Sequence, residues 1–168
     1  QSLKAESLRG VGYAGPVQIL PNGVELESSE AMQASMCGSP KLGFLGRIHP
    51  KKGLDILIEA WALALKSPEA ALSDWTLLIA GWDDGDHLST YRSMVDALGL
   101  GDVVQFVGPK FGREKQAFLQ SLQGFILPSR SEGLPVAVLE AWSHSLPVLG
   151  SVETNLTEEI SSGTGVVI

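Results

Sequence analysis

The sequence predicts a doubly wound α/β fold, a parallel sheet with helices on both faces, and three observations carry that reading. Short, nearly continuous apolar runs recur at residues 42–45, 75–80, 103–106, 125–127 and 147–149, as expected of strands buried on both faces. The segments between them place apolar residues at helical spacing, and crossovers of that length force parallel pairing with right-handed connections. Glycine supplies 19 of the 168 residues, above the usual share of about 7%, which suits repeated tight turns between strand and helix.

Taken in order, residues 1–9 can form a short helix anchored by Leu3 and Leu8. Gly10, Gly12 and Gly15 then match a GxGxxG dinucleotide fingerprint, but that motif works only between a strand and a helix. Here a helical segment precedes it and Pro16 with the strand-like residues 17–20 follows, so the match is discarded. Pro21-Asn22-Gly23 reads as a turn and residues 25–40 as linker. From Lys41 the alternation begins. Strand 42–45 leads into loop 46–53, after which Leu54, Leu57, Ile58, Trp61, Ala62 and Leu65 mark one helix face. Strand 75–80 is followed by an acidic loop (Asp83, Asp84, Asp86) and a helix carrying Leu88, Tyr91, Val95 and Leu98. Strand 103–106, a loop over 107–112 and a helix with Ala117, Phe118 and Leu122 come next. Strand 125–127, a polar loop, a helix opening at Pro135 and strand 147–149 follow; a short helix at 157–161 and a strand at 165–168 end the series. Residues 1–40 therefore read as an N-terminal remnant and linker, and 41–168 as the α/β domain. A chain that starts on a fragment and stops on a strand reads as part of a longer protein.

Composition excludes several classes. A net charge of −7 argues against a nucleic-acid binder, which needs a basic face. No apolar run approaches the roughly 20 residues of a membrane helix, and no signal-peptide pattern opens the chain. The single Cys37 cannot form an internal disulfide, so a reducing compartment is expected. The sequon at Asn155-Leu156-Thr157 reads as chance in such a chain. His49, His87 and His144 share no metal-ligand spacing, and His144 between Ser143 and Ser145 lacks the acid partner of a catalytic triad. Trp61, Trp75 and Trp142 fall at core positions; Trp82, at a strand end, reads first as packing at the core edge, with exposure near the site as the alternative.

Seven of the twelve basic residues fall in three segments that each follow a strand: Arg47, Lys51 and Lys52; Lys110, Arg113 and Lys115; Arg130. Singly they read as solvated surface; together they suggest an anion site at one sheet edge, where free backbone N–H groups also gather. Arg47 has a planar fork for phosphate oxygens and Lys52 a compact charge just before a helix. No GxxxxGK[ST] loop is present. Glu132 and Glu140 flank the start of the helix that opens at Pro135. They are read as two acceptors along a hydroxyl-rich ligand, because their spacing reaches or exceeds the wide end of the 5–9.5 Å that a glycosidase pair needs. The bland alternatives are a helix-start acid favoured by the dipole for Glu132 and a solvated face for Glu140. Gly133 permits close backbone approach, Pro135 suits a first helical position, and Val107-Gly108-Pro109 reads as a turn of little bulk.

Phe44-Leu45-Gly46-Arg47 with Lys52-Gly53, Leu78-Ile79-Ala80-Gly81, Val104-Gln105-Phe106-Val107-Gly108, Pro128-Ser129, Glu132-Gly133-Leu134-Pro135 and Glu140-Ala141 occur in this order. Together they resemble the C-terminal half of a family 4 glycosyltransferase. Leu20-Pro21-Asn22-Gly23-Val24 resembles the join between that family's two domains. The resemblance covers essentially the whole chain; each motif is weak alone and the set is specific. It implies a GT-B fold of two Rossmann-like domains, with donor bound to the C-terminal one and the sugar transferred with retention, usually without a metal. By resemblance, Arg47 and Lys52 neutralise the diphosphate leaving group, and Glu132 holds sugar hydroxyls with Gly133, Leu134 and Pro135. Glu140 accepts from the ribose, while Gly46, Val107 and Gly108 border the donor, the last two near its base. A UDP- or GDP-sugar donor, no metal cofactor, and a cytoplasmic enzyme follow as expectations. An N-terminal domain would supply the acceptor pocket for a polysaccharide or lipid-linked glycan and any contact with a membrane, leaving this part alone inactive. Ser145 stands where the family often has Gly, and Glu153-Thr154-Asn155-Leu156 resembles a subgroup of cell-surface polysaccharide enzymes. A GT-B-fold sugar-nucleotide epimerase and a non-catalytic nucleotide-binding module remain as alternatives.

Overall fold

The computed structural model describes residues 8–16, 38–67 and 72–168. Six strands form one sheet: β1 (Lys41–Leu45), β2 (Thr76–Ala80), β3 (Val104–Gly108), β4 (Gly124–Leu127), β5 (Val148–Gly150) and β6 (Gly165–Val167). Their order is β3-β2-β1-β4-β5-β6 and every pairing is parallel. The helices are α1 (Leu54–Lys66), α2 (Leu88–Ala97), α3 (Gly112–Gln120), α4 (Val136–Ser143) and the short α5 (Thr157–Glu159). The predicted fold class is the observed one. Phe44, Ile79 and Phe125 are fully buried at the sheet centre, and Leu54, Ile58 and Val138 cover it from the helices.

Strand order reverses between β1 and β4. In such sheets the crevice beyond the C-terminal ends of the two diverging strands is the ligand position. Here it receives the β1–α1 loop, with a 3-10 turn at Pro50–Lys52, and the β4–α4 loop, residues 128–135.

Local chemistry sets the element ends and corrects several sequence expectations. Gly99, at φ +68, ends α2, and Leu100 turns back so that its N–H donates to Val95 O at 2.9 Å. This is a glycine-terminated helix end with its hydrophobic residue just beyond. Leu100 therefore takes the core place expected for Leu98, which is exposed. β3 extends two residues further than predicted because the β2–β3 register shifts between Ile79 and Ala80, pairing Ala80 with Gly108. Val107 and Gly108 are thus strand residues, and the loop before α3 shrinks to 109–111. Pro135 is the residue before α4, in extended conformation, rather than its first helical residue. Val138 and Ala141 are the buried residues of α4, with Leu139 and Trp142 half-buried against the core. Residues 8–10 are helical and residues 11–12 turn, in keeping with the rejected fingerprint. The predicted strand 17–20, the turn 21–23, Cys37 and the linker up to residue 37 lie outside the described residues.

Candidate functional site at the sheet switch point

Lys52 closes the 3-10 turn that His49 caps, its Nδ1 accepting from Lys51 N–H at 3.1 Å. The Lys52 ammonium crosses the switch point to Glu132 and donates to its Oε1. Ser129 Oγ donates to the same oxygen at 2.6 Å. The Glu132 side chain is only 10% exposed and that of Lys52 16%, so the charge pair is largely out of water. The Glu132 backbone is fixed as well: its N–H donates to Glu153 O at 3.1 Å, and Asn155 Nδ2 donates to its carbonyl at 2.5 Å. Asn155 adopts φ +57, a left-handed conformation that asparagine tolerates.

Glu140 lies on α4 and turns towards α3, where Lys115 Nζ donates to its Oε1 at 2.5 Å. It faces a cavity of about 190 Å³ lined by Gly46, Gly81, Trp82, Phe111, Lys115 and Glu140, among others. It is not a solvated face. Gly81 brings β1 and β2 close at the cavity floor; a Cβ there would stand 1.7 Å from Gly46 O. Trp82 is 47% exposed and stacks on the exposed Phe111, ring centroids 6.3 Å apart. The expectation that Trp82 packs at the core edge is thereby corrected. Its strand position predicted burial, whereas β2 ends at Ala80 and Trp82 lies two residues beyond it.

Each loop cation of the predicted anion site that makes an ion pair does so with a carboxylate. Arg47 bonds Asp84 at 2.7 Å, both half exposed. Arg130 grips Asp55 with two parallel bonds, at 2.8 and 2.6 Å. Those bonds hold Asp55 below the usual carboxylate range, against the opposing effect of partial burial. A depressed carboxyl stabilises the fold above its unfolded value of about 3.9 and loses that contribution as pH falls through the lower folded value. Thermal midpoints of wild type and Asp55→Asn should hence differ by a constant amount above about pH 4 and converge below it.

Sequence reasoning brought Arg47, Lys52, Glu132 and Glu140 to one sheet edge, and the structure places them there. Gly46 lines the cavity, Gly133 is exposed, Leu134 is half-buried and Pro135 is buried at the mouth of α4. Val107 and Gly108 lie in β3 instead of a turn. Sequence reasoning missed the roles of Ser129, Lys115, Asp84, Asp55 and Phe111. Of these, Ser129 and Lys115 stood in segments the sequence singles out, the loop with Glu132 and the basic cluster, but their partners were not legible. His49 and His87 do approach edge to face, centroids 5.5 Å apart. Among the described residues no three His, Cys, Asp or Glu side chains gather as metal ligands. His144 meets Gln116 across α3 and α4 at 2.5 Å. Among the described residues no helix is long and apolar enough to cross a membrane.

An all-parallel sheet in this order, with paired charges at its switch point, defines a Rossmann-like domain. Residues 30–168 match the family described as Glycosyl transferases group 1, and the chain belongs to that family. It is 29% identical to a D-inositol 3-phosphate glycosyltransferase of Actinosynnema mirum, over 99% of this chain and 43% of that protein. It is 32% identical to a GDP-mannose:cellobiosyl-diphosphopolyprenol alpha-mannosyltransferase of Xanthomonas oryzae pv. oryzae, over 90% of this chain and 39% of that one. Among solved structures, the C-terminal domain of a glycosyl transferase group 1 family protein (LpcC) from Francisella tularensis superimposes with a TM-score of 0.67. It is 25% identical, covering 78% of this chain and 68% of that chain. The chain thus spans about two fifths of the length of the first two relatives, and it corresponds to a C-terminal GT-B domain. Nothing observed favours the epimerase or the non-catalytic module.

Proposed function

We propose that this chain is the donor-binding domain of a retaining glycosyltransferase and holds a UDP- or GDP-sugar at the sheet switch point. The observation that carries this reading is the Lys52–Glu132 pair across the switch point, with Lys52 on the β1–α1 loop whose first residue, Gly46, lines the Glu140 cavity. Donor binding exchanges partners. The Lys52 ammonium moves from Glu132 to a phosphate oxygen, and the exposed Arg47–Asp84 pair, weak in water, yields Arg47 to the same diphosphate. As the bond between sugar and diphosphate breaks, negative charge grows on the leaving phosphate, and these two cations stabilise it where it forms. Glu132, still held by Ser129, then accepts from sugar hydroxyls beside the backbone of Gly133, Leu134 and Pro135. Glu140 accepts from the ribose, with Lys115 fixing its carboxylate, and the base lies by the end of β3 and the Trp82–Phe111 stack.

In this reading the reaction needs no metal cofactor. A polysaccharide or lipid-linked glycan acceptor is bound by an N-terminal half, which makes any membrane contact of a cytoplasmic enzyme. The GDP-mannose named for the Xanthomonas relative supports a nucleotide-sugar donor. Calorimetric titration of the chain with UDP, GDP, ADP and CDP tests the reading. The expected result is weak but saturable binding of UDP or GDP, with no sugar transfer by the chain alone. Equal heats for all four, or none, would sink it.

A further inference from the structure

We propose that Arg130 is a positioning residue that clamps the loop carrying Lys52 to the loop carrying Glu132; this rests on the donor-site reading above. The sequence placed Arg130 among anion-binding cations, and the structure directs three of its side-chain hydrogen bonds to the neighbouring β1–α1 segment. Nη1 donates to Asp55 Oδ1 at 2.8 Å and to Pro50 O at 2.8 Å, and Nη2 donates to Asp55 Oδ2 at 2.6 Å. Its backbone N–H donates to Lys51 O at 2.8 Å. The four bonds reach residues 50, 51 and 55, on both sides of Lys52, from a residue two positions before Glu132. They span the crevice between β1 and β4, where the two loops have no covalent connection shorter than the intervening strands and helices.

The ion pair is more than 40% exposed at each side chain, so its worth as a stabilising charge pair is small. What it supplies is geometry. A planar guanidinium can bind both carboxylate oxygens and a carbonyl at once, which an ammonium cannot reproduce. A misplacement of about 1 Å in a charged contact to substrate can cost on the order of a hundredfold in rate. Arg130 and Asp55 thus set the distance across which Lys52 and Glu132 share a ligand, while neither touches it.

The test compares wild type, Arg130→Lys, Arg130→Ala, Asp55→Ala and the Arg130→Ala/Asp55→Ala double variant. Each is titrated with UDP and GDP and with the parent nucleosides uridine and guanosine, and hydrogen exchange is followed at the amides of Lys52, Gly53 and residue 130. We expect three- to tenfold weaker diphosphate binding in every single variant, Arg130→Lys included, with nucleoside affinity changed less than twofold. The double variant should be no weaker than the singles, since both remove one interaction. Exchange at the three amides should accelerate together. Unchanged diphosphate affinity, equal loss for nucleoside and diphosphate, or additive losses would each overturn the clamp. Should wild type bind neither ligand class, the donor-site reading fails, and the clamp stands or falls on the exchange rates alone.

Discussion

Replacing Lys52 by Met should weaken binding of the cognate nucleoside diphosphate ten- to hundredfold, the span of roughly 1.5–3 kcal/mol for a hydrogen bond involving a charged group. It should also lower stability by about 1–3 kcal/mol, because Glu132 is then left in a poorly hydrated site with only Ser129 as side-chain partner. The two effects can be separated. The Lys52→Met/Glu132→Gln double variant removes the orphaned charge, keeps an amide that Ser129 can still donate to, and should recover most of the stability. It should not recover binding. In the full-length enzyme the single variant should lose on the order of 10²–10³ in transfer rate, the usual cost of deleting one group that stabilises developing negative charge. Calorimetry and thermal unfolding on the same samples give both readouts. A double variant that binds diphosphate as wild type does would remove Lys52 from the site.

Gly53→Ala should be strongly damaging, since it combines a left-handed backbone with a backbone overlap at the domain's ligand edge. Gly53 has φ +67, closes the 3-10 turn through its N–H to Pro50 O, and starts α1 by accepting from Leu57 N–H. A Cβ there would stand 2.1 Å from Pro128 O, so the β1–α1 loop would have to withdraw from the end of β4. The left-handed conformation costs about 1–2 kcal/mol for alanine, and the overlap adds roughly 1–3 more. At 2–4 °C per kcal/mol for a chain of this size, the melting temperature should fall by roughly 4–20 °C. Gly101 is the control: its φ is not left-handed and a Cβ would meet nothing within 4 Å. Gly101→Ala should leave the midpoint unchanged or slightly raised, through the lower entropy of the unfolded chain. Circular dichroism melts of the two variants decide the matter; a Gly53→Ala midpoint within a degree of wild type would show that the loop contact is dispensable.

Both predictions act at the same seam. Lys52 and Gly53 are adjacent in sequence, one reaching Glu132 by charge and the other approaching Pro128 by having no side chain. The seam is therefore held by a lysine, a glycine and the Arg130 fork at once, and it joins two strands separated by most of the sheet's connections.

The fold itself was legible because its cause is local and repeated. Apolar runs at residues 42–45, 75–80 and 125–127 bury both faces of a parallel sheet, and the spacing of Leu54, Leu57, Ile58, Trp61 and Ala62 allows no other use than a helix against it. Element ends were less legible. Leu98 satisfied the helical period yet lost its core place to Leu100, because a left-handed Gly99 reverses the chain one residue earlier. Val107 and Gly108 looked like a turn by composition, and a register shift opposite Ala80 drew them into β3.

The candidate site divides in the same way. Its residue types and the edge on which they sit were determined by the sequence alone, since every strand of a parallel sheet delivers its following loop to the same side. Which charge meets which was decided only by tertiary structure. Lys52 with Glu132, Lys115 with Glu140 and Arg130 with Asp55 are separated by 80, 25 and 75 residues. No local pattern encodes such pairs: they exist because the strand order places β4 beside β1, and α3 within reach of α4.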